Sequence, residues 1–264
     1  MESRLGQTAS LSIVIPAYNE EVRLPALLEK LRAEAEKAAV DAGLRLHEVL
    51  VVDDGSTDRT RELLEAAADE NGRLQGVFAY DRNRGKGAAF AAGAERATGE
   101  WVLLADVDLS TPLDELGKLT AAVEAGADVA IGSRAVAGAV VERGPLHRKV
   151  TGSSFNAAVR LLTGLRVRDT QNGFKLFPTE ALKRYVAQQT CPGFAFDVEL
   201  LMRADRDGLR IVEVPILYTH DLRSSVNVAS ASSRMLREIA RLAYRLRVRK
   251  DSGAADSADI VRAA

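Results

Sequence analysis

Two carboxylates separated by one residue, Asp106 and Asp108, close an apolar run that begins Trp101-Val102-Leu103-Leu104-Ala105. Side chains alternate along a strand, so the pair projects to one side wherever the extended backbone persists. Bare convergent acids repel and one of them keeps a proton; a divalent cation carrying phosphate oxygens removes that conflict. A plainer reading stays open, in which the pair ends a strand and Ser110 and Thr111 start the next helix. Upstream, Asn83-Arg84-Gly85-Lys86-Gly87 is a basic loop flanked by glycines. Glycine lets backbone approach a ligand closely, and Lys86 can reach a phosphate or the charge developing on a leaving group. No Ser or Thr follows the lysine and the spacing is not that of a Walker A loop, which excludes an ATPase of that type.

The elements that must position these groups alternate. Leu11 to Pro16 reads as a buried strand followed by a helix from Asn19 to about Gly43, and His47 to Val52 as a strand ending in Asp53-Asp54-Gly55. Ser56-Thr57-Asp58 caps a helix ending near Asn71-Gly72; a strand around Gly76 to Tyr80, a helix from Gly87 to Thr98 and the strand into Asp106 follow. Near-continuous apolar strands alternating with helices predict an α/β fold, a mostly parallel central sheet covered on both faces. Such sheets bind ligands beyond the carboxyl ends of their strands. Pro16 to Glu20, Asp53 to Gly55, Asp81 to Lys86 and Asp106 to Asp108 are therefore expected along one crevice.

Asp128 to Arg134 completes this first half, 11–134, of an expected single domain spanning 1–250. The second half, 135–250, opens on a stretch carrying Arg143, Arg148, Lys149, Arg160, Arg166 and Arg168 with no acid among them, which suggests a second anionic ligand. Asp169 to Phe177 reads as a turn entering a strand, Phe196 to Arg203 as a helix with Asp197 able to act as its N-cap, and Ile211 to Leu217 as a late strand.

With 36 Lys and Arg against 37 Asp and Glu, the net charge of -1 argues against a dedicated nucleic-acid partner. Cys191 is the single cysteine, which excludes an internal disulfide and a cysteine zinc cluster and fits a reducing, cytoplasmic setting. No apolar run spans a bilayer and Met1 to Thr8 has no signal-peptide core, so membrane contact is expected to be peripheral. The last helix, Ser230 to Val248, places Arg234, Arg237, Arg241 and Arg245 on one stripe and Met235, Leu236, Ile239, Leu242, Ala243 and Leu246 opposite. Such a helix either docks on its own domain or lies on anionic headgroups, and the second is slightly favoured. Residues 251–264, small and polar, are expected to be disordered.

Taken together, Ile15-Pro16-Ala17-Tyr18-Asn19-Glu20-Glu21, Val51 to Asp58, Asn83 to Gly87 and Asp106-Val107-Asp108 resemble the family 2 inverting glycosyltransferases of the GT-A fold. Gly132-Ser133-Arg134, Asp169-Thr170-Gln171-Asn172-Gly173-Phe174-Lys175-Leu176-Phe177 and Phe196 to Leu201 narrow the resemblance to the dolichyl-phosphate β-glucosyltransferase branch, which is similar to the dolichyl-phosphate mannose synthases. The resemblance runs from Leu11 to Arg249. It implies that Pro16, Ala17, Tyr18 and Glu20 surround a nucleoside, that Asp53 or Asp54 accepts from the base, and that Asp106 and Asp108 hold Mg²⁺ or Mn²⁺ with Lys86 at the leaving group. For the acceptor it implies arginines and lysines, with Arg134, Arg148, Arg168, Lys175 and Arg223 as candidates and His147 as a weaker one; Asp169 is a candidate to position these cations or the sugar hydroxyls, and Asp197 is a candidate base or sugar-binding group. The implied reaction moves one sugar, glucose from UDP-glucose in the favoured case, to a polyprenyl phosphate at the inner face of the cell membrane. GDP-mannose as donor, a soluble acceptor and a non-catalytic nucleotide-sugar binder are the alternatives, and a homodimer is possible. Typical eukaryotic members of the branch carry an N-terminal transmembrane segment and some bacterial relatives C-terminal ones; this sequence shows neither, and the cationic last helix is the expected substitute. The Gln-x-x-Arg-Trp pattern of processive synthases is absent.

Overall fold

The computed structural model describes residues 4–5, 9–67, 73–142, 146–219 and 228–248, with backbone alone for 146–153, 228–234 and 247–248. In chain order the elements are β1 (Ser10–Ala17), α1 (Leu24–Asp41), β2 (Arg45–Asp53), α2 (Thr60–Ala67), β3 (Leu74–Phe78), α3 (Lys86–Arg96), β4 (Trp101–Leu104), α4 (Leu116–Glu124), β5 (Val129–Ser133) and β6 (Val140–Glu142). They continue with α5 (Leu146–Thr163), β7 (Lys175–Pro178), α6 (Thr179–Ala187), α7 (Phe196–Arg206), β8 (Ile211–Pro215), β9 (Leu217–Thr219) and α8 (Val228–Val248).

Seven strands form one sheet in the order β3-β2-β1-β4-β7-β5-β8, and β6 pairs with β9 in a small ribbon. All pairings in the large sheet are parallel except those of β7, which runs antiparallel between β4 and β5. The predicted mostly parallel α/β sheet is what forms, with strands from the second half of the chain completing it. Alternation divides each central strand between two cores: Leu11, Ile13 and Ile15 of β1 face α1 and α4, whereas Val14, with Leu50, Val52, Val102 and Leu104, faces α3, α6 and α7. Both faces are covered, which is why these strands read as unbroken apolar runs.

Several expectations need correction. Helix α1 starts at Leu24, with Pro25 in its first turn, and the predicted start at Asn19 is instead a loop in which Asn19 takes a φ of 54°. Strand β4 stops at Leu104; Asp106 and Asp108 stand on a turn closed by the Leu109 N–H donating to the Asp106 carbonyl, with Leu109 at a φ of 43°. Strand alternation is therefore not what brings the two acids together. Much of the basic stretch forms α5, and the single late strand is divided into β8 and β9, whose partners are β5 and β6. In α8, Ile239, Leu242 and Ala243 are buried in the core with Met235, Leu236 and Leu246 packed against it, so the helix docks by its apolar face. That face is not offered to lipid; Arg241, Tyr244 and Arg245 remain exposed. No helix among the described residues is long and apolar enough to cross a membrane. The tail 251–264 lies outside the described residues.

Candidate active site

The ends of β1, β2 and β3 build one side of the crevice. Pro16 and Ala17 are the last residues of β1, in register with Val52 and Asp53. Tyr18 follows with 41% of its surface exposed, so a ring face is available there. Asn19 ties the two strand ends: its Oδ1 accepts from the Thr57 N–H at 2.8 Å and its own N–H donates to Ser56 Oγ at 2.9 Å. Its left-handed backbone is the kind asparagine tolerates, and this bracket was not anticipated from sequence. Glu20 is held by Arg23, whose Nε and Nη2 donate to its two oxygens at 2.6 and 2.7 Å, so a ribose hydroxyl would share an engaged carboxylate.

The two adjacent acids after β2 have different surroundings. Asp54 accepts from Asn83 Nδ2 at 2.9 Å, from the Arg84 N–H at 2.9 Å and from the Gly85 N–H at 2.7 Å, which makes it the anchor of the basic loop. Burial raises its pKa, opposed by those two backbone donors. Asp53 Oδ1 accepts from the Ser56 N–H, but its Oδ2 is buried with no partner among the described residues. Of the pair, Asp53 has the acceptor to spare. Beside them Tyr80, Arg82 and Arg84 help line a cleft of about 350 Å³, with the Arg84 guanidinium 4.8 Å from the Tyr80 ring centre.

The loop delivers Lys86 to the start of α3. Gly85 has a φ of 110°, and a side chain there would meet the Pro192 carbonyl at 2.6 Å; one at Gly87 would meet Phe196 Cβ at 2.5 Å. The loop and the 192–196 segment thus pack backbone to backbone, and the Ala88 N–H donates to the Pro192 carbonyl at 2.9 Å. From this base Lys86 Nζ donates to Asp106 Oδ1 at 2.5 Å. Burial would lower the lysine's pKa, but Asp106, Asp197 and Asp108 outweigh it and push it up to about 12. Asp106 is partly buried, which would raise its pKa, yet Lys86, Lys175 and Arg134 hold it below the usual carboxylate value. Asp108 Oδ1 accepts from the Ser110 N–H at 2.9 Å. Each acid keeps a second oxygen that no described hydrogen bond uses.

That donor set suits a hard cation arriving with its own ligands. The described residues contain no cluster of three or more metal-binding side chains, so there is no closed cage, and two carboxylates plus phosphate oxygens are what Mg²⁺ or Mn²⁺ accept. The ammonium already on Asp106 shows that this carboxylate is placed to receive positive charge.

On the other side, Arg134 at the end of β5 is clamped by Asp169: Nε and Nη2 donate to its two oxygens at 2.7 and 2.9 Å, and the Arg134 N–H donates to the same carboxylate at 3.0 Å. The Tyr218 ring lies 4.8 Å from the guanidinium carbon. Burial opposes both charges, but each partner's charge outweighs it, raising the Arg134 pKa and lowering that of Asp169. Asp169 is thus bonded to Arg134, one of the candidate cations, and Tyr218 packs on the same guanidinium, a contact that no sequence pattern singled out.

Lys175 and Asp197 are placed differently from their expected roles. Lys175 Nζ, fully buried in β7, donates to Asp197 and to the Asn172 carbonyl, so it is not presented to an acceptor. Asp197 makes no cap for α7, whose N-cap is Ala195, and is held in this ion pair rather than free to act as a base. A buried lysine in mid-sheet requires such a partner. Arg168 is exposed and its N–H donates to Glu213 at 2.8 Å. Arg148 and His147 lie on α5, where only the backbone is described, and Arg223 lies outside the described residues. The buried, tightly packed Gly173 was also missed as a site residue: a Cβ there would overlap the Asp106 carboxylate.

Residues 12–190 match the model of the "Glycosyl transferase family 2" family. The chain is 30% identical over 246 residues to a dolichyl-phosphate β-glucosyltransferase of Dictyostelium discoideum, covering 89% of this chain and 74% of that one. It is 34% identical over 230 residues to the polyprenol monophosphomannose synthase of Mycolicibacterium smegmatis, covering 86% of this chain and 82% of the relative. Among solved structures, glucosyl-3-phosphoglycerate synthase from Mycobacterium tuberculosis, in complex with Mn²⁺, UDP and glucosyl-3-phosphoglycerate, superposes with a TM-score of 0.62 at 21% identity, covering 93% of this chain and 82% of that one. At that identity the likeness establishes the GT-A fold. Sequence match, sheet order and the acidic crevice agree, and the chain belongs to glycosyltransferase family 2.

Proposed function

We propose that this glycosyltransferase moves a single sugar, glucose from UDP-glucose, onto a polyprenyl phosphate with inversion, working at a membrane surface. The observation that carries the acceptor is the state of the nearby acids. Asp169 and Asp197 are both locked to cations, so neither is disposed to deprotonate a sugar hydroxyl. A phosphate monoester acceptor is already an anion and needs positive charge instead, which Arg134 offers at a geometry preset by Asp169 and Tyr218. The lipid-phosphate relatives point the same way.

In this reading Tyr18 and Asp53 receive the nucleoside, with the unpartnered Asp53 oxygen accepting the imide N–H of uracil. Asp106 and Asp108 hold Mg²⁺ or Mn²⁺, which when bound neutralises charge on the diphosphate. Lys86 follows that charge as the anomeric C–O bond to the diphosphate breaks and a phosphate oxygen of the acceptor bonds to the anomeric carbon from the opposite face. The exposed Arg241 and Arg245 of α8 face anionic headgroups.

The test is transfer of labelled sugar from UDP-glucose, UDP-galactose and GDP-mannose in the presence of Mn²⁺ and polyprenyl phosphate, followed by solvent extraction. Label in the organic phase from UDP-glucose is expected. Preference for GDP-mannose overturns the donor, a water-soluble product overturns the acceptor, and no product overturns the activity.

A further inference from the structure

We infer that the side-chain amides of Gln171 and Asn172 read the hydroxyl groups of the sugar in transit, and so set which hexose is accepted. The inference rests on the proposed placement of diphosphate at Asp106 and acceptor anion at Arg134. Asp169 is bonded to Arg134, and Gly173 lies against the Asp106 carboxylate. The segment between them therefore runs from the acceptor's cation to the donor's acid, and any sugar passing from one to the other travels beside it.

The segment is tied down on either side of Gln171. The Thr170 hydroxyl donates to Asn156 Oδ1 at 3.1 Å, Asn172 Oδ1 accepts from the Phe174 N–H at 2.8 Å, and the Asn172 carbonyl accepts from Lys175. Amid these bonds, Gln171 Nε2 and Asn172 Nδ2 are both buried with no partner among the described residues, and Asn172 is only 1% exposed. Buried amide donors almost always find an acceptor, and adjacent exceptions beside a reaction centre point to an acceptor that comes with the substrate. Primary amides offer N–H groups to hydroxyl oxygens, and the hexose is the part of a nucleotide sugar that is rich in them. A site that hydrogen-bonds a particular hydroxyl discriminates strongly against a donor that presents it elsewhere, because the amide is then left unpaired.

The test uses the full-length protein with Mn²⁺, comparing wild type with Gln171→Leu and with Asn172→Asp, the latter keeping the oxygen that accepts from Phe174. Binding of UDP alone is measured by calorimetry, and kcat/KM is measured for the preferred donor and its hexose epimers. The expected result is unchanged UDP affinity with the preference between epimers reduced at least about tenfold. Equal loss for every donor, loss of UDP binding in the variants, or a wild type that accepts all epimers alike would each overturn the inference. Failure of the wild type to bind UDP with Mn²⁺ would instead remove the donor-site reading beneath it.

Discussion

The Asp106 carboxylate packs directly on the Cα of Gly173, leaving no room for a side chain at that position. Residues far apart in sequence thus share one geometry: the turn after β4 is shaped by the turn before β7. Gly173→Ala should push the carboxylate away from Lys86 and from any cation. Asp106 sits on a turn and can swing, so the melting temperature should stay close to wild type while kcat falls about a hundredfold. Wild-type turnover by the alanine variant would show that the carboxylate's position is unimportant.

Asp54 and Asp53 should separate cleanly. Asp54→Asn leaves an amide facing the Arg84 and Gly85 N–H groups that Asp54 now bonds, which should cost about 1–3 kcal/mol and displace Lys86. Asp53→Asn keeps an oxygen for the Ser56 N–H but turns a donor toward the nucleotide, so denaturant stability should hold while UDP affinity drops. Urea titration and calorimetry on both variants check this; matching behaviour would refute the division of labour.

The Arg134–Asp169 clamp predicts an acid-range signature. The Asp169 pKa is lower in the folded state than its ordinary value, so the unfolded chain binds the proton more readily. The stabilisation is complete above the ordinary carboxylate pKa of about 4 and is lost as pH falls through the depressed folded value. Asp169→Asn should therefore be less stable than wild type at neutral pH, and the gap should close on acidification below about pH 4. Melting temperatures measured across that range decide it, and a pH-independent gap would rule out the ionic origin.

Because α8 is core on one side, deleting it should unfold the protein rather than merely release it from lipid. Reversing its outer charges is the informative change. Arg241→Glu combined with Arg245→Glu should leave UDP binding intact and abolish sedimentation with phosphatidylserine vesicles, at roughly 1 kcal/mol per basic residue removed. Undiminished vesicle binding would move the membrane contact to another surface.

The amino-acid sequence determined on its own what depends on neighbours in the chain. Apolar runs stopping at Asp53, Lys86's glycine-bounded loop and Asp106 identify strand ends and helix starts, and alternation of those elements places the strand ends along one crevice. Only the tertiary structure decided what each charged group does there. Lys175 and Arg134 look alike as cations in sequence, yet Lys175 is enclosed in mid-sheet against Asp197 while Arg134 keeps part of its side chain in the open. Asp53 and Asp54 are neighbours, and only the folding of Asn83 to Gly85 over Asp54 distinguishes them. The same holds for α8, whose amphipathic pattern is equally suited to lipid and to the core that α5 and α7 help to form. Burial and charge pairing arise between residues separated by tens of positions, and no local pattern encodes which of several equivalent side chains the fold encloses.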